Sequence, residues 1–414
     1  MNKKKIINDP VYGFLNIPHK MVFNLIEHPH FQRLRRIQQL GLTSLVYPGA
    51  LHTRFHHALG ATHLMKQAIE VLRAKKVKIN QEEGKAAITA ILMHDIGHGP
   101  FSHALEHSIV TNVPHEMLSL LFMQRLNKEF GGRLDLAIQI FKGEYHKSFL
   151  HELVSSQLDM DRLDYLNRDS FFTGVQEGVI GFDRIIKMLA VRDNHLVVEE
   201  KGIYSIEKFL IARRLMYWQV YLHKTVIAAE LMLLKILQRA KQLIQEGHNL
   251  SATPPLLYFL QSDFTLQNFE ENPEILEQFA LLDDTDILVG IKVWQFYKKD
   301  VVLSELCKGV LSRKLLKIEL GKEPISPNKL KKYQEITAKK YKISLEDAAY
   351  LVFADKTSNS AYTHKGSQIN ILYKNETIKN ITEASDYLNI EMLASPVVKH
   401  YICYPEIVRK ELKR

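Results

Sequence analysis

The sequence has few cysteines, no glycine-rich or low-complexity stretch and no long hydrophobic run. Two cysteines among 414 residues, without a CxxC spacing, exclude a disulfide-stapled scaffold and argue against a thiolate metal site. No stretch approaches the roughly 18 consecutive apolar residues of a membrane-spanning helix, so we expect no membrane partner. The first ten residues are basic but lack the apolar core of a secretory signal, so we expect a cytoplasmic protein.

Positive charge is concentrated in one part of an otherwise nearly neutral chain. The 55 basic and 46 acidic residues give a formal net charge of +9. Residues 308–342, here called the basic segment, hold 11 basic residues against three glutamates, so the rest of the chain carries only +1. Such a segment suits weak binding of phosphates or single-stranded nucleic acid, and it equally suits a solvated surface. The sequence leaves both interpretations open.

Hydrophobic periodicity predicts a mainly α-helical protein. Apolar residues recur at helical spacing through most of the first 245 residues, including a long run from Ile206 to about Gln245. Three short segments resemble strands: His195–Val198, Ile369–Tyr373 and Pro396–Cys403. We therefore predict a helical core over residues 1–314, followed by a smaller mixed α/β lobe over residues 315–414.

Histidine is concentrated in one short part of the chain. Nine of the 19 histidines fall within residues 52–115, where an even spread would put about three. A single histidine on a helix is more often a hydrogen-bonded structural residue, but neutral imidazole binds metals and imidazolium binds phosphate. This density therefore predicts a metal or phosphate site. The nine are His52, His56, His57, His63, His94, His98, His103, His107 and His115.

The sharpest motif is MHDIGHGPFSH, which begins at residue 93. Its adjacent His94 and Asp95 reach one cation only at a helix end or an irregular turn. Gly97 and Gly99 provide that irregularity directly after a predicted helix over Ala86–Met93. A lone His-Asp pair is a weak signal, and it becomes strong only together with two further motifs.

Those two motifs are HTRFHHALG from residue 52 and DMDRLDYLNRD from residue 159. In the first, Arg54 and His57 are three residues apart and share one helical face. In the second, three residues follow a four-residue spacing: Asp161, Tyr165 and Asp169. A later series on a predicted helix has the same spacing: Arg213, Tyr217 and Tyr221. Taken alone, this last series is also typical of aromatic packing on an amphipathic helix.

Two imidazoles and two carboxylates form a mixed nitrogen and oxygen ligand set. Such a set suits Mn, Fe, Co, Ni or Zn, and we also keep Mg as a candidate. The four candidate ligands are His57, His94, Asp95 and Asp161. The cationic donors around them suit a polyphosphate better than one phosphate monoester: Arg54, His98, His103, His115, Arg162 and Arg213. His103 with Glu106, or His115 with Glu116, could orient an imidazole for acid–base catalysis.

These motifs resemble the HD-domain superfamily of metal-dependent phosphohydrolases, and within it the deoxynucleoside triphosphate triphosphohydrolase branch of dGTPases and dNTPases. The likeness begins at IINDPVYG, residues 6–13, and runs clearly to YLHKTV, residues 221–226. We expect the catalytic module to stand alone, without the sterile-alpha-motif domain of the vertebrate enzyme. The resemblance implies water attack on the α-phosphorus of a dNTP, which releases a deoxynucleoside and tripolyphosphate.

The resemblance also implies a role for each matching position. The metal ligands are again His57, His94, Asp95 and Asp161. The residues that grip the triphosphate or the reacting phosphorus are Arg54, His98, His103, His115, Arg162, Tyr165 and Arg213. His103 with Glu106 would protonate the leaving 5′-oxygen, and His115 would line the same pocket. The residues facing the sugar are Gln39, Tyr165 and Asp169 at the 3′-hydroxyl, and Leu40 and Tyr221 at C2′.

Regulation is implied less directly. Several family members form tetramers when nucleotides bind between subunits, so we expect an activating nucleotide and a homo-oligomer, either a dimer or a tetramer. The positions that resemble such sites are Asn8, Glu27, Gln32, Arg35, Arg184 and Lys224. Glu27 stands where the best-known member has Asp. This longer side chain either still accepts from guanine or indicates a different activator, or none.

Two other functions stay open at this stage. A phosphodiesterase or phosphomonoesterase acting on another nucleotide would use the same HD site but would not release tripolyphosphate. A nucleic-acid-binding or nucleotide-sensing protein would keep the HD site as a structural element, and the basic segment is its support in the sequence. Salt-sensitive binding of single-stranded nucleic acid would favour that third function.

Overall fold

The computed structural model describes residues 5–101, 105, 108–110, 112–359, 368–386 and 397–413. Within them the protein is mainly helical with three small sheets, which confirms the predicted fold class: a helical core with a mixed α/β C-terminal region. No helix in these ranges is both long and apolar enough to cross a bilayer.

The helices form two groups along the chain. Those up to residue 245 are α1 (Lys20–Glu27), α2 (Pro29–Gln32), α3 (Arg54–Ala74), α4 (Gln81–Met93), α5 (His115–Glu129), α6 (Asp135–Lys142), α7 (Ser148–Glu152), α8 (Met160–Thr173), α9 (Phe182–Met188), α10 (Ile203–Met216) and α11 (Lys224–Gln245). The later ones are α12 (Pro254–Gln261), α13 (Leu266–Glu271), α14 (Pro273–Leu281), α15 (Asp284–Trp294), α16 (Val301–Leu311), α17 (Pro327–Tyr341), α18 (Leu345–Leu351), α19 (Ile381–Ala384) and α20 (Glu406–Glu411).

Nine strands are described. They are β1 (Ile6–Asp9), β2 (Gly13–Asn16), β3 (Leu189–Arg192), β4 (His195–Glu199), β5 (Lys317–Gly321), β6 (Phe353–Asn359), β7 (Asn370–Leu372), β8 (Ile378–Asn380) and β9 (Val397–Tyr404). β1 and β2 form an antiparallel hairpin, and β9 is the central strand of an antiparallel β5-β9-β6 sheet. The third sheet has the order β3-β4-β7-β8, with β4 and β7 parallel.

The strands after residue 315 divide between two of these sheets. β7 and β8 extend the sheet of β3 and β4, with Val198 opposite Ile371, whereas β5, β6 and β9 pair only with one another. The main hydrophobic core runs from Leu15 in β2 to Cys403 in β9. A second, smaller cluster of buried residues lies in the C-terminal part: Tyr333, Val352, Ile402, Tyr404 and Val408. The predicted boundary between residues 314 and 315 therefore stays a prediction.

Local signals in the sequence explain where the site-bearing helices begin and end. Thr53 precedes α3 in a capping box with His56, because the imidazole Nδ1 accepts from the Thr53 amide at 3.1 Å. The Asp159 carboxylate caps α8 by accepting from the amide of Arg162 at 2.7 Å. Gly174 ends α8 with a φ of +76°, a conformation that favours glycine.

The long helical run predicted from Ile206 to Gln245 is divided in the structure. The amide of Leu222 donates to the carbonyl of Tyr217, five residues earlier, so the chain forms a π turn over Tyr217–Tyr221. A new helix, α11, then begins after His223, whose ring accepts from the amide of Thr225 at 3.2 Å. Arg213 therefore lies on an α-helix, and the two tyrosines that follow it lie on the π turn.

Candidate metal site and its surroundings

Three side chains from three helices converge at the centre of the fold. His57 lies on α3, His94 directly follows α4 and Asp161 lies in the first turn of α8, and their ligand atoms are all within 4.8 Å of one another. Nε2 of His57 is 3.1 Å from Oδ1 of Asp161, and Nε2 of His94 is 3.5 Å from the same oxygen. The two Nε2 atoms are 3.3 Å apart.

The outer nitrogens of both imidazoles are held by acceptors. Nδ1 of His57 is 2.8 Å from Oδ2 of Asp164, and Nδ1 of His94 is 2.6 Å from the carbonyl oxygen of Ile91. These acceptors assign the protons to Nδ1, so both Nε2 lone pairs point inwards at each other. Such lone pairs repel unless positive charge lies between them. The donor set therefore fits a divalent cation bound by two nitrogens and a carboxylate oxygen.

The opposite charges in this cluster also shift the pKa values of its members. Burial lowers the pKa of His57, but the carboxylates of Asp161 and Asp164 outweigh it and raise that pKa to about 10. Burial raises the pKa of Asp161, but His57 and His94 outweigh it and hold that pKa well below its usual range. A cation that enters this cluster therefore competes with protons for the same atoms.

Asp95 borders the three-residue cluster. Its Oδ1 is 3.3 Å from Nε2 of His94, and its Oδ2 is 3.7 Å from Nε2 of His57. The same carboxylate accepts from Nη1 of Arg54 at 2.6 Å and lies 3.3 Å from Nε2 of His98. Asp95 can thus reach a cation beside the imidazoles while it orients two of the cationic donors that the sequence predicted.

A buried ion-pair chain behind His57 fixes its ring. Asp164, which holds Nδ1 of His57, is paired through both oxygens with Arg168, at 2.9 Å to Nε and 3.0 Å to Nη2. Arg168 also donates to Asp9 at the end of β1, at 2.8 Å. Space for this pair depends on Gly60 in α3, where a Cβ would lie 2.0 Å from Oδ1 of Asp164. The N-terminal hairpin is therefore linked to a metal-ligand candidate.

Two of the imidazoles predicted to bind phosphate lie side by side. His98 and His115 stack with their ring centroids 3.7 Å apart, and Nε2 of His115 is 3.4 Å from Oε1 of Glu116. Burial and the nearby Arg54 lower the pKa of His98 to about 3, so this ring is neutral at pH 7. His103 and Glu106, the predicted acid pair, lie outside the described residues.

Two more arginines have part of their donor capacity already used. Nε of Arg162 donates to the carbonyl oxygen of Ser156 at 2.6 Å. Nη1 of Arg213 donates to Oε1 of Gln157 at 3.1 Å, and its buried Nε has no hydrogen-bond partner among the residues described. A buried N–H without a partner is costly, so Arg213 fits a site that an anionic ligand completes.

The predicted sugar-facing residues cluster around Asp169, near the end of α8. The hydroxyl of Tyr221 donates to Oδ2 of Asp169 at 2.7 Å, and the rings of Tyr165 and Tyr221 have their centroids 6.2 Å apart. Oε1 of Gln39 is buried and lacks a hydrogen-bond partner within the described part of the chain. Leu40 is partly buried against the hydrophobic core.

Comparison with known proteins gives the family. Residues 54–169 match the HD domain and residues 180–252 match the HD associated region. A solved phosphohydrolase structure from Bacteroides thetaiotaomicron is 54% identical, with a TM-score of 0.94 over 97% of this chain and 100% of that one. The uncharacterized protein YwfO of Bacillus subtilis is 32% identical over 400 residues, which cover 93% of this chain and 88% of YwfO. This chain belongs to the HD-domain phosphohydrolase family.

A more distant HD-domain relative carries a specific name. The deoxynucleoside triphosphate triphosphohydrolase SAMHD1 homolog of Dictyostelium discoideum is 29% identical over 289 residues. The match covers 65% of this chain and 55% of that protein, so the chain spans about half of the relative's length.

The residues that resemble regulatory sites of the HD family are mostly at the surface. Arg35 donates to Oε1 of Gln32 at 2.8 Å, and the Arg35 guanidinium carbon lies 3.6 Å from the centroid of the Phe55 ring. Arg184 donates to the carbonyl oxygen of Lys201 at 2.9 Å. The exposed ones are Asn8, Glu27, Arg35, Arg184 and Lys224.

Lys224 lies at a cavity between the helical core and the C-terminal strands. The cavity has a volume of about 600 Å³, and its lining includes four basic side chains and one glutamate. They are Lys224, Arg313, Lys317, Arg409 and Glu319. The surplus of positive charge suits a phosphate-bearing ligand.

Sequence reasoning overlooked the residues that hold the HD site in place. Asp164 and Arg168 received no role from the motifs, although their four-residue spacing is that of a helical ion pair. His52 was counted among the nine histidines without a role. Asp284 had no signal at all, yet its carboxylate accepts from the amides of Gln38 and Phe101 at 2.7 and 3.0 Å.

Proposed function

We propose that this HD-domain protein hydrolyses dNTPs to a deoxynucleoside and tripolyphosphate. The observation that carries the proposal is a pair of buried polar atoms without partners among the described residues. Nε of Arg213 fits a phosphate oxygen, and Oε1 of Gln39 fits a hydroxyl donor near Asp169. A ligand with a polyphosphate at one end and a sugar hydroxyl at the other would satisfy both. The name of the Dictyostelium relative agrees with this class of substrate.

The metal-ligand candidates supply the reactive centre. A divalent cation held by His57, His94 and Asp161, with Asp95 beside them, would act as a Lewis acid towards water and phosphate. The two nitrogens and one oxygen favour Mn, Fe, Co, Ni or Zn, with Mg as a further candidate. Asp164 holds Nδ1 of His57, which keeps the ring orientation fixed throughout the reaction.

The chain's own cations hold the polyphosphate while water attacks the α-phosphorus. Arg54, Arg162 and Arg213 carry planar guanidinium groups that match phosphate oxygens in pairs. The neutral His98 donates or accepts a hydrogen bond and does not serve as the acid at pH 7, because its pKa is lowered to about 3. Protonation of the leaving 5′-oxygen is assigned to His103 with Glu106. His115 is assigned to the lining of the same pocket.

The sugar side provides the selection for a deoxyribose. Gln39, Tyr165 and Asp169 are assigned to the 3′-hydroxyl, and Leu40 and Tyr221 pack against C2′. The extra hydroxyl of a ribonucleotide would meet these side chains and lose its water without gaining a partner. The hydrogen bond from Tyr221 to Asp169 holds the tyrosine ring in place, so the ring cannot move aside for a 2′-hydroxyl.

Regulation and assembly belong to the same proposal. An activating nucleotide would use Asn8, Glu27, Gln32, Arg35, Arg184 and Lys224. The basic cavity beside Lys224 supports a phosphate contact there. The protein would work in the cytoplasm as a homo-oligomer, a dimer or a homotetramer, with residues 1–314 as the catalytic core and 315–414 as the lobe that lines the cavity.

Weak binding of single-stranded nucleic acid is a second candidate function. The basic segment supports it, but four of its 11 basic residues form ion pairs with glutamates, which reduces their attraction for phosphate. The four are Lys308, Lys317, Lys329 and Lys340. The observations therefore favour the hydrolase.

Product analysis tests the proposal. Purified protein is incubated with each dNTP, singly and mixed, with Mn or Mg, and the products are separated by ion-exchange chromatography. We expect a deoxynucleoside and tripolyphosphate, and activity only in mixtures would identify an activating nucleotide. Pyrophosphate or orthophosphate would indicate an HD-domain phosphodiesterase or phosphomonoesterase instead. No turnover with any of the metals named would favour the binding protein.

Arg213 offers a finer test of the polyphosphate end. Arg213→Ala should raise KM for a dNTP by about tenfold or more, because a hydrogen-bonding charge is lost while the metal ligands stay intact. The surface variant Arg192→Ala is the matched control. An unchanged KM and kcat would remove Arg213 from the site.

A further inference from the structure

His52 joins two parts of the HD site that lie far apart in the sequence. Nε2 of the buried His52 is 2.7 Å from Oδ1 of Asp169 near the end of α8. The carbonyl oxygen of the same residue accepts from the amide of Gln39 at 3.0 Å. One residue therefore fixes the spacing between Gln39 and Asp169, two of the three residues that the proposed function assigns to the 3′-hydroxyl.

The carboxylate of Asp169 is held at both of its oxygens. His52 donates to Oδ1, and the hydroxyl of Tyr221 donates to Oδ2 at 2.7 Å. A carboxylate oxygen has a second lone pair, so each atom can still accept one bond from a ligand. Two fixed donors thus leave the carboxylate with one orientation and with free acceptor capacity. That arrangement suits a ligand hydroxyl and not a phosphate, which carries negative charge.

The ring of His52 is held in a position that is unfavourable for the stability of the fold. It stacks on Phe172 with the ring centroids 4.5 Å apart and the planes 17° from parallel. Its Nδ1 is buried and has no hydrogen-bond partner among the residues that the structure describes. An apolar side chain would fill the same space without burying an unpartnered nitrogen. A side chain that breaks this rule next to a ligand site indicates a functional constraint.

We propose that His52 is a positioning residue that sets selectivity for the 3′-hydroxyl of the substrate. It does not touch the reacting atoms; it holds Asp169 through its side chain and Gln39 through its backbone. The inference rests on the proposed function, because it takes the substrate to be a nucleotide with a sugar hydroxyl. It assigns to His52 a role that differs from metal binding, phosphate binding and acid–base catalysis, the three roles expected of histidines in this region.

Paired substrates separate this role from a merely structural one. The full-length, metal-loaded protein is assayed for kcat/KM with a dNTP and with the matching 2′,3′-dideoxynucleotide, which lacks only the 3′-hydroxyl. In His52→Leu the ratio of the two values should fall about tenfold, the effect of one hydrogen bond to a charged group. The decrease should come from the dNTP, with turnover of the dideoxynucleotide nearly unchanged.

Two further variants keep the test decisive. His52→Gln retains an N–H donor at a similar distance and should restore most of the ratio. Phe172→Leu removes the stacked ring but leaves the bond to Asp169, so its ratio should stay close to that of the wild type. Thermal unfolding of each variant shows whether it is folded before the ratios are compared.

The outcomes distinguish this inference from the proposed function. An equal loss with both nucleotides in His52→Leu, or a ratio in His52→Gln as low as in His52→Leu, would overturn the positioning role alone. A wild-type protein that hydrolyses dNTPs and dideoxynucleotides equally well would do the same. A wild-type protein that hydrolyses neither, with any of the metals named, would remove the proposed function and this inference with it.

Discussion

The HD site and the basic segment both bring charged side chains together, and the fold treats them differently. At the HD site, Asp164 and Arg168 are fully buried and meet each other through two hydrogen bonds. In the basic segment, Lys329 and Glu319 form an ion pair at 2.6 Å with both side chains more than a third exposed. The same kinds of residue thus build a buried network in one region and a solvated surface in the other.

Burial decides what these charges can do. A buried charge must be paired and hydrogen-bonded, so each member of the cluster constrains its neighbours. An exposed pair is screened by water and salt, and it constrains little. The density of charged residues in a sequence is therefore a weaker indicator of a functional site than the number of ion pairs and hydrogen bonds that each charged group makes in the fold.

The largest expected effect is the loss of a metal ligand. Asp161→Asn should reduce turnover by roughly 10³-fold or more, because it replaces the carboxylate on which both imidazoles converge with a neutral amide. The fold should stay intact, because this side chain is nearly a third exposed. Measured kcat in metal-loaded protein checks this, with Asp193→Asn as the matched surface control. Activity close to that of the wild type would show that the cluster is not the reactive centre.

Stability should separate the two kinds of ion pair. Arg168→Met leaves the buried Asp164 and Asp9 without their cation and should lower the free energy of unfolding by about 3–5 kcal/mol. Arg192→Met breaks the surface pair with Glu376 and should cost less than about 1 kcal/mol. Urea unfolding of both variants measures the difference. Equal effects would contradict the contrast between buried and exposed ion pairs.

A third, smaller effect concerns a buried carboxylate that accepts hydrogen bonds from two backbone amides. Burial raises the pKa of Asp284 to about 7, although the amides of Gln38 and Phe101 donate to it. Between about pH 4 and pH 7 the folded state therefore keeps a proton that the unfolded chain releases. The free energy of unfolding of the wild type should then fall as pH rises through this range.

Asp284→Asn removes this titratable group, so the variant is the reference against which the wild type is compared. From pH 5 to pH 8 the wild type should lose roughly 1–3 kcal/mol of stability relative to the variant. Urea unfolding at several pH values gives this difference directly. A difference between wild type and variant that stays constant from pH 5 to pH 8 would mean that the carboxylate is already ionised at pH 5 in the folded state.

The smallest effect is expected in the basic segment. Replacing the exposed Lys331 and Lys332 with Ala should change the free energy of unfolding by less than about 0.5 kcal/mol. Any binding of single-stranded nucleic acid should weaken, and its dependence on salt should become less steep. The matched control replaces Lys298 and Lys299, which are exposed outside the segment. Identical salt dependence in both double variants would leave the segment without a role in phosphate binding.

The sequence was most informative where motif spacing and local helix rules agree. The i, i+4 series of α8 and the irregular turn after α4 predicted that His94 and Asp161 could meet His57, and the structure brings these three together. The helical fold class followed from hydrophobic periodicity. These inferences rest on contacts within one helix or on one end of it.

The rest depends on contacts between distant parts of the chain. His52 meets Asp169 across 117 residues, and Asp284 meets Gln38 across 246. Neither hydrophobic periodicity nor motif spacing indicates such long-range pairs, so only the folded structure shows them. The long helix predicted from Ile206 is divided by a π turn, because the amide of Leu222 donates to the carbonyl oxygen of Tyr217, five residues earlier, and not to the one four residues earlier. Most of the short strands were missed because three or four residues hold too little pattern.

The link from Asp9 through Arg168 and Asp164 to His57 has a consequence for synthesis of the chain. Asp9 is synthesised 159 residues before Arg168, the partner to which it is paired in the folded protein. The ring of His57 is oriented only when that partner has been made and has folded back. A nascent chain therefore holds His57 and His94 early, but it acquires an ordered binding site only after Asp161 and Arg168 have emerged.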